Sequence, residues 1–166
     1  MFKKLFGKKE EPVKTIQILA PLSGNAVNLN SVPDPVFSEK MMGDGIAIEP
    51  SDGIVVSPVD GEIMQIFPTK HAVGIRAKNG AEILIHIGLE TVSLKGEGFE
   101  THVQQGDFVK AGDKLVSFDM ATISEKAKST VTPIIITNTD QAASLNLLTE
   151  GKVERGSTPI LEVTFK

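Results

Sequence analysis

From Gly74 to Gly88 the chain reads GIRAKNGAEILIHIG: two apolar runs meet at Asn79-Gly80, and the second carries His86 among aliphatic side chains. Asn-Gly between two such runs is the strongest short-range hairpin signal, because both central residues of a type I′ turn take positive φ. A two-residue turn here sets Lys78 opposite Ala81, Ile75 opposite Leu84, Val73 opposite His86 and His71 opposite Gly88. Opposed residues of an antiparallel pair share a face. His71, Val73, Leu84, His86 and Gly88 are therefore expected together, with Ile83, Ile85 and Ile87 on the other face. Thr69, two residues before His71, points the same way and could fix its tautomer. Gly88 is expected to leave open space beside both imidazoles.

Outward from this hairpin the chain is a succession of short β-like runs: TIQIL, NAVNL, GIAIEP, GIVVS, GEIMQIF, VGIRA, EILIHI, KLVSF, PIIIT and ILEVTF. Turn signals such as PLSG, SDG, PVDG and AGD separate them, the punctuation of a sandwich or closed barrel. The class predicted is all-β, an antiparallel β-sandwich with few short helices. The helix candidates are ATISEKAK, with Asp119 as its N-cap, and weak turns near Thr91 and Asp140. APLSGNAVNL (Ala20 to Leu29) echoes SPVDGEIMQI (Ser57 to Ile66), which suggests two half-domains closing on each other in a barrel-sandwich manner.

At 166 residues the chain suits one domain, read here as 14–166 with its motif-rich part at 34–138. It has no cysteine, which excludes disulfides, thiolate metal sites and thiol catalysis, and fits a reducing, cytoplasmic setting. The net charge of −4 argues against nucleic acid as a partner. Basic residues cluster only in the tail, 1–13, where Lys3, Lys4, Lys8 and Lys9 surround Phe2, Leu5 and Phe6. Two readings stand for it: an amphipathic segment in transient contact with the inner face of a membrane, or a solubilising terminus.

Two histidines on one face have few chemistries open to them. A closed zinc site lacks further ligands, since no HxH, HExxH or cysteine completes it. Serine hydrolysis lacks a GxSxG nucleophile. Histidine as its own nucleophile remains, with a phosphoryl group as electrophile and the second imidazole as hydrogen-bond donor to the phosphoryl oxygens. The bland alternative is a pair of histidines satisfied within the core.

The blocks VPDPVF, EKMMGDGIAI, SPVDGEI, IFPTKHAV, ILIHIGLETVSLKGEGF and VKAGDKLVSFD, in this order, resemble the glucose-type enzyme IIA component of the bacterial phosphoenolpyruvate-dependent sugar phosphotransferase system. The resemblance implies a phosphotransferase relay in sugar uptake. His86 would accept phosphate at Nε2 from the histidine phosphocarrier protein HPr and pass it to a cysteine on the IIB domain of a IIB/IIC permease. His71 would serve onward donation, and Thr69 would orient His71. Phe37, Met41, Met42, Phe67 and Leu84 fall where the family places a hydrophobic docking ring, and Val73 joins them on the register above. Asp34 and Glu90 fall on acidic positions facing the basic donor. No cofactor is implied; zinc would bind at His71 and His86 only with a partner's carboxylate, as in complexes with regulatory proteins. His102 has no counterpart and reads as a surface residue. A biotinyl or lipoyl carrier is the alternative suggested by SPVDGEI and VKAGDKLVSFDM, but FDMATI offers no lysine for modification.

Overall fold

A computed structural model describes residues 14–165; the tail expected at 1–13 lies outside the described residues. The first half contains β1 (Thr15–Leu19), β2 (Gly24–Asn28), α1 (Pro35–Ser38), β3 (Asp44–Pro50), β4 (Ile54–Val56), β5 (Gly61–Ile66), β6 (Ala72–Ala77) and β7 (Glu82–His86). The second contains β8 (Phe99–Thr101), β9 (Phe108–Val109), β10 (Lys114–Phe118), α2 (Met120–Lys126), β11 (Thr132–Ile136), β12 (Ala142–Leu147), β13 (Gly151–Val153) and β14 (Pro159–Phe165). Asp119 caps α2 as expected, accepting from the backbone N–H groups of Ala121 and Thr122. Short 3₁₀ turns occupy Thr91–Leu94 and Thr139–Gln141.

The strands form a sandwich of antiparallel sheets. An eight-stranded sheet runs β13-β2-β3-β11-β7-β6-β5-β9, and two three-stranded sheets, β1-β14-β12 and β4-β10-β8, cover one of its faces. Ile46, Ile48, Val73, Ile75, Ile83, Ile85, Ile134 and Ile136 point into that main core against Ile18, Leu115, Val116, Leu161 and Val163. The alternate residues Ala47, Ala72, Leu84 and Ile135 face the other way, into a second cluster with Leu29, Val32, Phe37, Leu89 and Val131. Both faces of the central strands are covered, which is why GIAI, PIII and EILI are continuous apolar runs rather than alternating ones.

The expected duplication has a hydrogen-bond signature. The Leu19 N–H donates to the Pro58 carbonyl at 3.0 Å, and the Val56 N–H donates to the Pro21 carbonyl at 2.8 Å. Leu19 and Val56 immediately precede the two echoing segments, and Pro21 and Pro58 are equivalent within them, so each half offers the other the same bond. Likewise Ala20 donates to Thr158 and Ser57 to Asp113, at 2.8 and 2.7 Å.

The hairpin register differs from the expected one by a residue. Ala72 pairs with His86, Val73 with Ile85, Gly74 with Leu84 and Ile75 with Ile83. The turn holds three residues, Lys78-Asn79-Gly80, closed by Gly80 N–H to the Ala77 carbonyl and Ala77 N–H to the Ala81 carbonyl. Of the Asn79-Gly80 pair only Gly80 has positive φ (95°). Asn79 instead spends its side chain on contacts, accepting from the Ala81 N–H and donating to the carbonyls of Lys14 and Val163. A three-residue loop of this kind, a turn followed by a left-handed glycine, is the next commonest hairpin closure. A one-residue slip exchanges faces. Val73 accordingly lies in the main core, fully buried, and not on the face of His86.

Candidate functional site

His86 ends β7 on the face of Leu84 and Ala72, half-buried at the rim of the second cluster. His71 directly precedes β6, where strand alternation would have sent it toward the main core. Lys70, in the left-handed region (φ 63°), takes the chain out of the pleat at that point. The His71 carbonyl still accepts from the Ile87 N–H at 2.7 Å, but its ring stands edge-on to His86, with centroids 4.9 Å apart and planes at 78°. The two histidines meet as expected, although the register that predicted it is wrong.

Each ring is held on its Nδ1 side. Thr69 Oγ1 lies 2.5 Å from His71 Nδ1. His86 Nδ1 lies 2.9 Å from the Gly88 carbonyl oxygen, which can only accept, so the proton of a neutral His86 sits on Nδ1 and the lone pair on Nε2. Gly88 therefore contributes its carbonyl rather than the open space expected of it. Its φ is +74°, and a Cβ there would come within 2.6 Å of Thr91 Cγ2 and 2.9 Å of the Ser129 oxygen.

Burial sets the protonation of the pair. His71, 4% exposed, is lowered to about 4, first by loss of solvent and then by the nearby His86. His86 is lowered as well, chiefly by burial; the Gly88 carbonyl and the Asp34 charge work against that shift. Both rings are thus neutral near pH 7, one of them with a free nitrogen lone pair.

Two aromatic rings pack against the pair. The Phe37 ring packs on His86 at 5.0 Å and the Phe67 ring on His71 at 5.5 Å. Phe37 and Leu84 are buried, so they support the histidines from beneath rather than offering surface. Met41 (69% exposed) and Met42 are open to solvent, as are Val36 and Val92, two residues the sequence reading did not single out. Val92 follows Glu90 by two residues in the turn that Thr91 ties back to the Ile87 carbonyl. A valine exposed within the otherwise polar run ETVS is the signal that could have marked it.

Asp34 caps α1, accepting from the Val36 N–H at 3.0 Å, and Glu90 is exposed in the left-handed region (φ 58°). His102 lies on the surface of the small β4-β10-β8 sheet side, its Nε2 2.8 Å from Ser117 Oγ. The segment Phe118–Ile123, where a carrier domain would present its lysine on a hairpin tip, instead ends β10 and starts α2. Among the described residues no helix is long and apolar enough to cross a membrane.

The chain matches the family described as phosphoenolpyruvate-dependent sugar phosphotransferase system, EIIA 1, over residues 16–142. It is similar to the PTS system glucose-specific EIIA component of Bacillus cereus, 60% identical over 166 residues and all of both chains. Its identity to the component of the same name from Staphylococcus aureus is 56% over 165 residues, 99% of each. Among solved structures it is similar to glucose permease IIA from Mycoplasma capricolum, with a TM-score of 0.84 and 45% identity over 90% of this chain and 96% of that one.

Proposed function

The chain belongs to the EIIA 1 family of the phosphoenolpyruvate-dependent sugar phosphotransferase system, and from that premise we propose that His86 is the residue through which it carries phosphate. As a phosphocarrier it takes part in sugar uptake, a transferase within a relay. The observation that carries the assignment to His86 is the bond from its Nδ1 to the Gly88 carbonyl, which leaves Nε2 free as a nucleophile.

In the forward step Nε2 attacks the phosphorus of phospho-HPr. The Nε2–P bond forms as the donor's P–N bond breaks, its electron pair returns to the donor imidazole, and His86 keeps its Nδ1 proton. In the onward step a cysteine thiolate of a IIB domain attacks phosphorus and the Nε2–P pair returns to His86. If Thr69 donates its hydroxyl proton to His71 Nδ1, His71 carries its own proton on Nε2 and can donate it in a hydrogen bond to a phosphoryl oxygen. The Phe37 and Phe67 rings keep stray water from the labile bond. The exposed apolar residues Met41, Met42, Val36 and Val92 would supply the apolar part of the surface on which HPr and IIB dock, with Asp34 and Glu90 as its acidic members.

His71 and His86 offer two imidazole nitrogens, half of a tetrahedral set, and no third histidine or carboxylate joins them among the described residues. Zinc would therefore bind here only in a complex that brings a carboxylate. Segment 1–13 is the part proposed to touch anionic lipid; deleting residues 1–9 should weaken vesicle binding and leave soluble phosphorylation unchanged.

The deciding experiment is incubation with phosphoenolpyruvate, enzyme I and HPr. One acid-labile, base-stable phosphate per chain is expected, absent in His86→Gln. Undiminished labelling of His86→Gln would refute the assignment.

A further inference from the structure

We infer that Lys128 is a positioning residue that ties together the two walls between which His86 is held; this rests on the phosphocarrier reading above. One wall is the loop after β7, which carries the Gly88 carbonyl. Its next residue, Leu89, forms an isolated antiparallel bridge with the segment after α2: Leu89 N–H donates to the Ser129 carbonyl at 2.9 Å, and Lys128 N–H donates to the Leu89 carbonyl at 3.2 Å. The backbone of Lys128 thus belongs to the Gly88 side of the site.

Its side chain belongs to the other side. Lys128 Nζ donates to the Pro33 carbonyl at 2.7 Å. An ammonium on a carbonyl is a charge-assisted bond, roughly twice as strong as a neutral one. Pro33 and Pro35 bracket Asp34, and both have φ fixed by their rings. Asp34, preceding a proline, is confined to the extended region and is found there, with φ −152° and ψ 116°. Pro33-Asp34-Pro35 is consequently a stiff strut, and anchoring its first carbonyl places the Asp34 carboxylate and, through the α1 cap, the Phe37 ring packed on His86. Lys128 touches neither histidine, and its effect on transfer is exerted through Asp34 and Phe37 on one side and Leu89 on the other.

The test compares Lys128→Met and Lys128→Arg with the wild type in single-turnover acceptance from phospho-HPr. Misplacing a reacting group by a fraction of an ångström lowers the transfer step itself. Lys128→Met should lose about fivefold in the saturated first-order rate, with little change in half-saturating phospho-HPr. Lys128→Arg should recover to within about twofold, since a guanidinium can still donate to the Pro33 carbonyl. Backbone amide resonances of Asp34 and Leu89 should move together in Lys128→Met and return in Lys128→Arg. A Lys128→Met chain with the wild-type saturated rate, or one altered only in half-saturation as expected of a docking cation, overturns the inference. If the wild type itself takes no phosphate, the phosphocarrier reading fails instead; the Asp34 and Leu89 resonances then still decide whether the strap exists.

Discussion

The His71 imidazole stands edge-on to that of His86, ring centroids 4.9 Å apart, with each ring's Nδ1 occupied by a different partner, Thr69 Oγ1 and the Gly88 carbonyl. The pair is therefore asymmetric. His86 has one fixed tautomer with Nε2 free, whereas the His71 tautomer depends on which way the threonine hydroxyl turns.

That asymmetry separates acceptance from donation. His71→Ala should still take phosphate onto His86 but pass it to IIB at least about tenfold more slowly, because the donor to the phosphoryl oxygens proposed at His71 is lost. Rapid-quench measurement of both half-reactions checks this; unimpaired transfer to IIB would remove the role given to His71.

Thr69→Val keeps the volume and removes the hydroxyl. If the hydroxyl is the donor to His71 Nδ1, its loss frees His71 to place its proton on either nitrogen, and onward transfer should fall by about tenfold, or about 1.4 kcal/mol in barrier. Thr69→Ser should stay close to the wild type. Equal rates in Thr69→Val and Thr69→Ser would show that the hydroxyl has no part.

The depressed His71 predicts a stability signature. An unfolded histidine titrates near 6.5 and His71 in the fold near 4, so between these values the unfolded chain binds a proton that the folded chain refuses. Its contribution is full above pH 6.5 and is lost as pH falls toward 4, with a ceiling of about 3 kcal/mol. His71→Gln should flatten this part of the profile. Urea unfolding at pH 7.5, 5.5 and 4.5 measures it, and identical slopes in the two proteins would contradict the prediction.

Two glycines with positive φ should respond differently to alanine. Around Gly80 a Cβ would meet nothing within 4 Å, so Gly80→Ala should cost only the left-handed backbone penalty of about 1 kcal/mol. Gly88→Ala adds the clash with Thr91 and the Ser129 carbonyl and should cost at least about 2–3 kcal/mol more, with slower phosphate acceptance as the Gly88 carbonyl shifts. Denaturation midpoints rank the two; a smaller loss for Gly88→Ala would refute the account of Gly88.

Val73 and Met41 should likewise part company. Val73→Asp buries an unpaired carboxylate in the main core and should leave the protein unfolded. Met41→Asp, at a 69%-exposed position, should fold normally and raise half-saturating phospho-HPr. Circular dichroism and acceptance kinetics distinguish them. A folded Val73→Asp would be incompatible with the observed register.

The particular misreading at Val73 shows where local sequence stops being informative. Asn79-Gly80 marks a hairpin unambiguously, but a two-residue and a three-residue closure differ only in the backbone conformation of Lys78 and Asn79. What selects the longer loop is a contact far along the chain, the Asn79 side chain on the carbonyls of Lys14 and Val163. The short strands β8, β9 and β13 and the exposed β12 were illegible for a related reason: two or three residues show no period, β12 buries no residue fully, and their pairing is supplied by neighbours. α1 was missed because four residues with a leading proline form no periodicity; a cap from Asp34 and packing of Phe37 define it.

By itself the sequence determined the all-β class, the duplicated half-domain, the Asp119 cap and the candidates His71, Thr69 and His86, because turn residues, apolar runs and ordered motifs are local. Only the tertiary structure decided the hairpin register, the face of Val73, the burial of Phe37 and Leu84, and the Gly88 carbonyl that leaves His86 Nε2 free. Those depend on which distant groups satisfy a backbone bond or cover a face, and no short stretch of chain specifies its own partners.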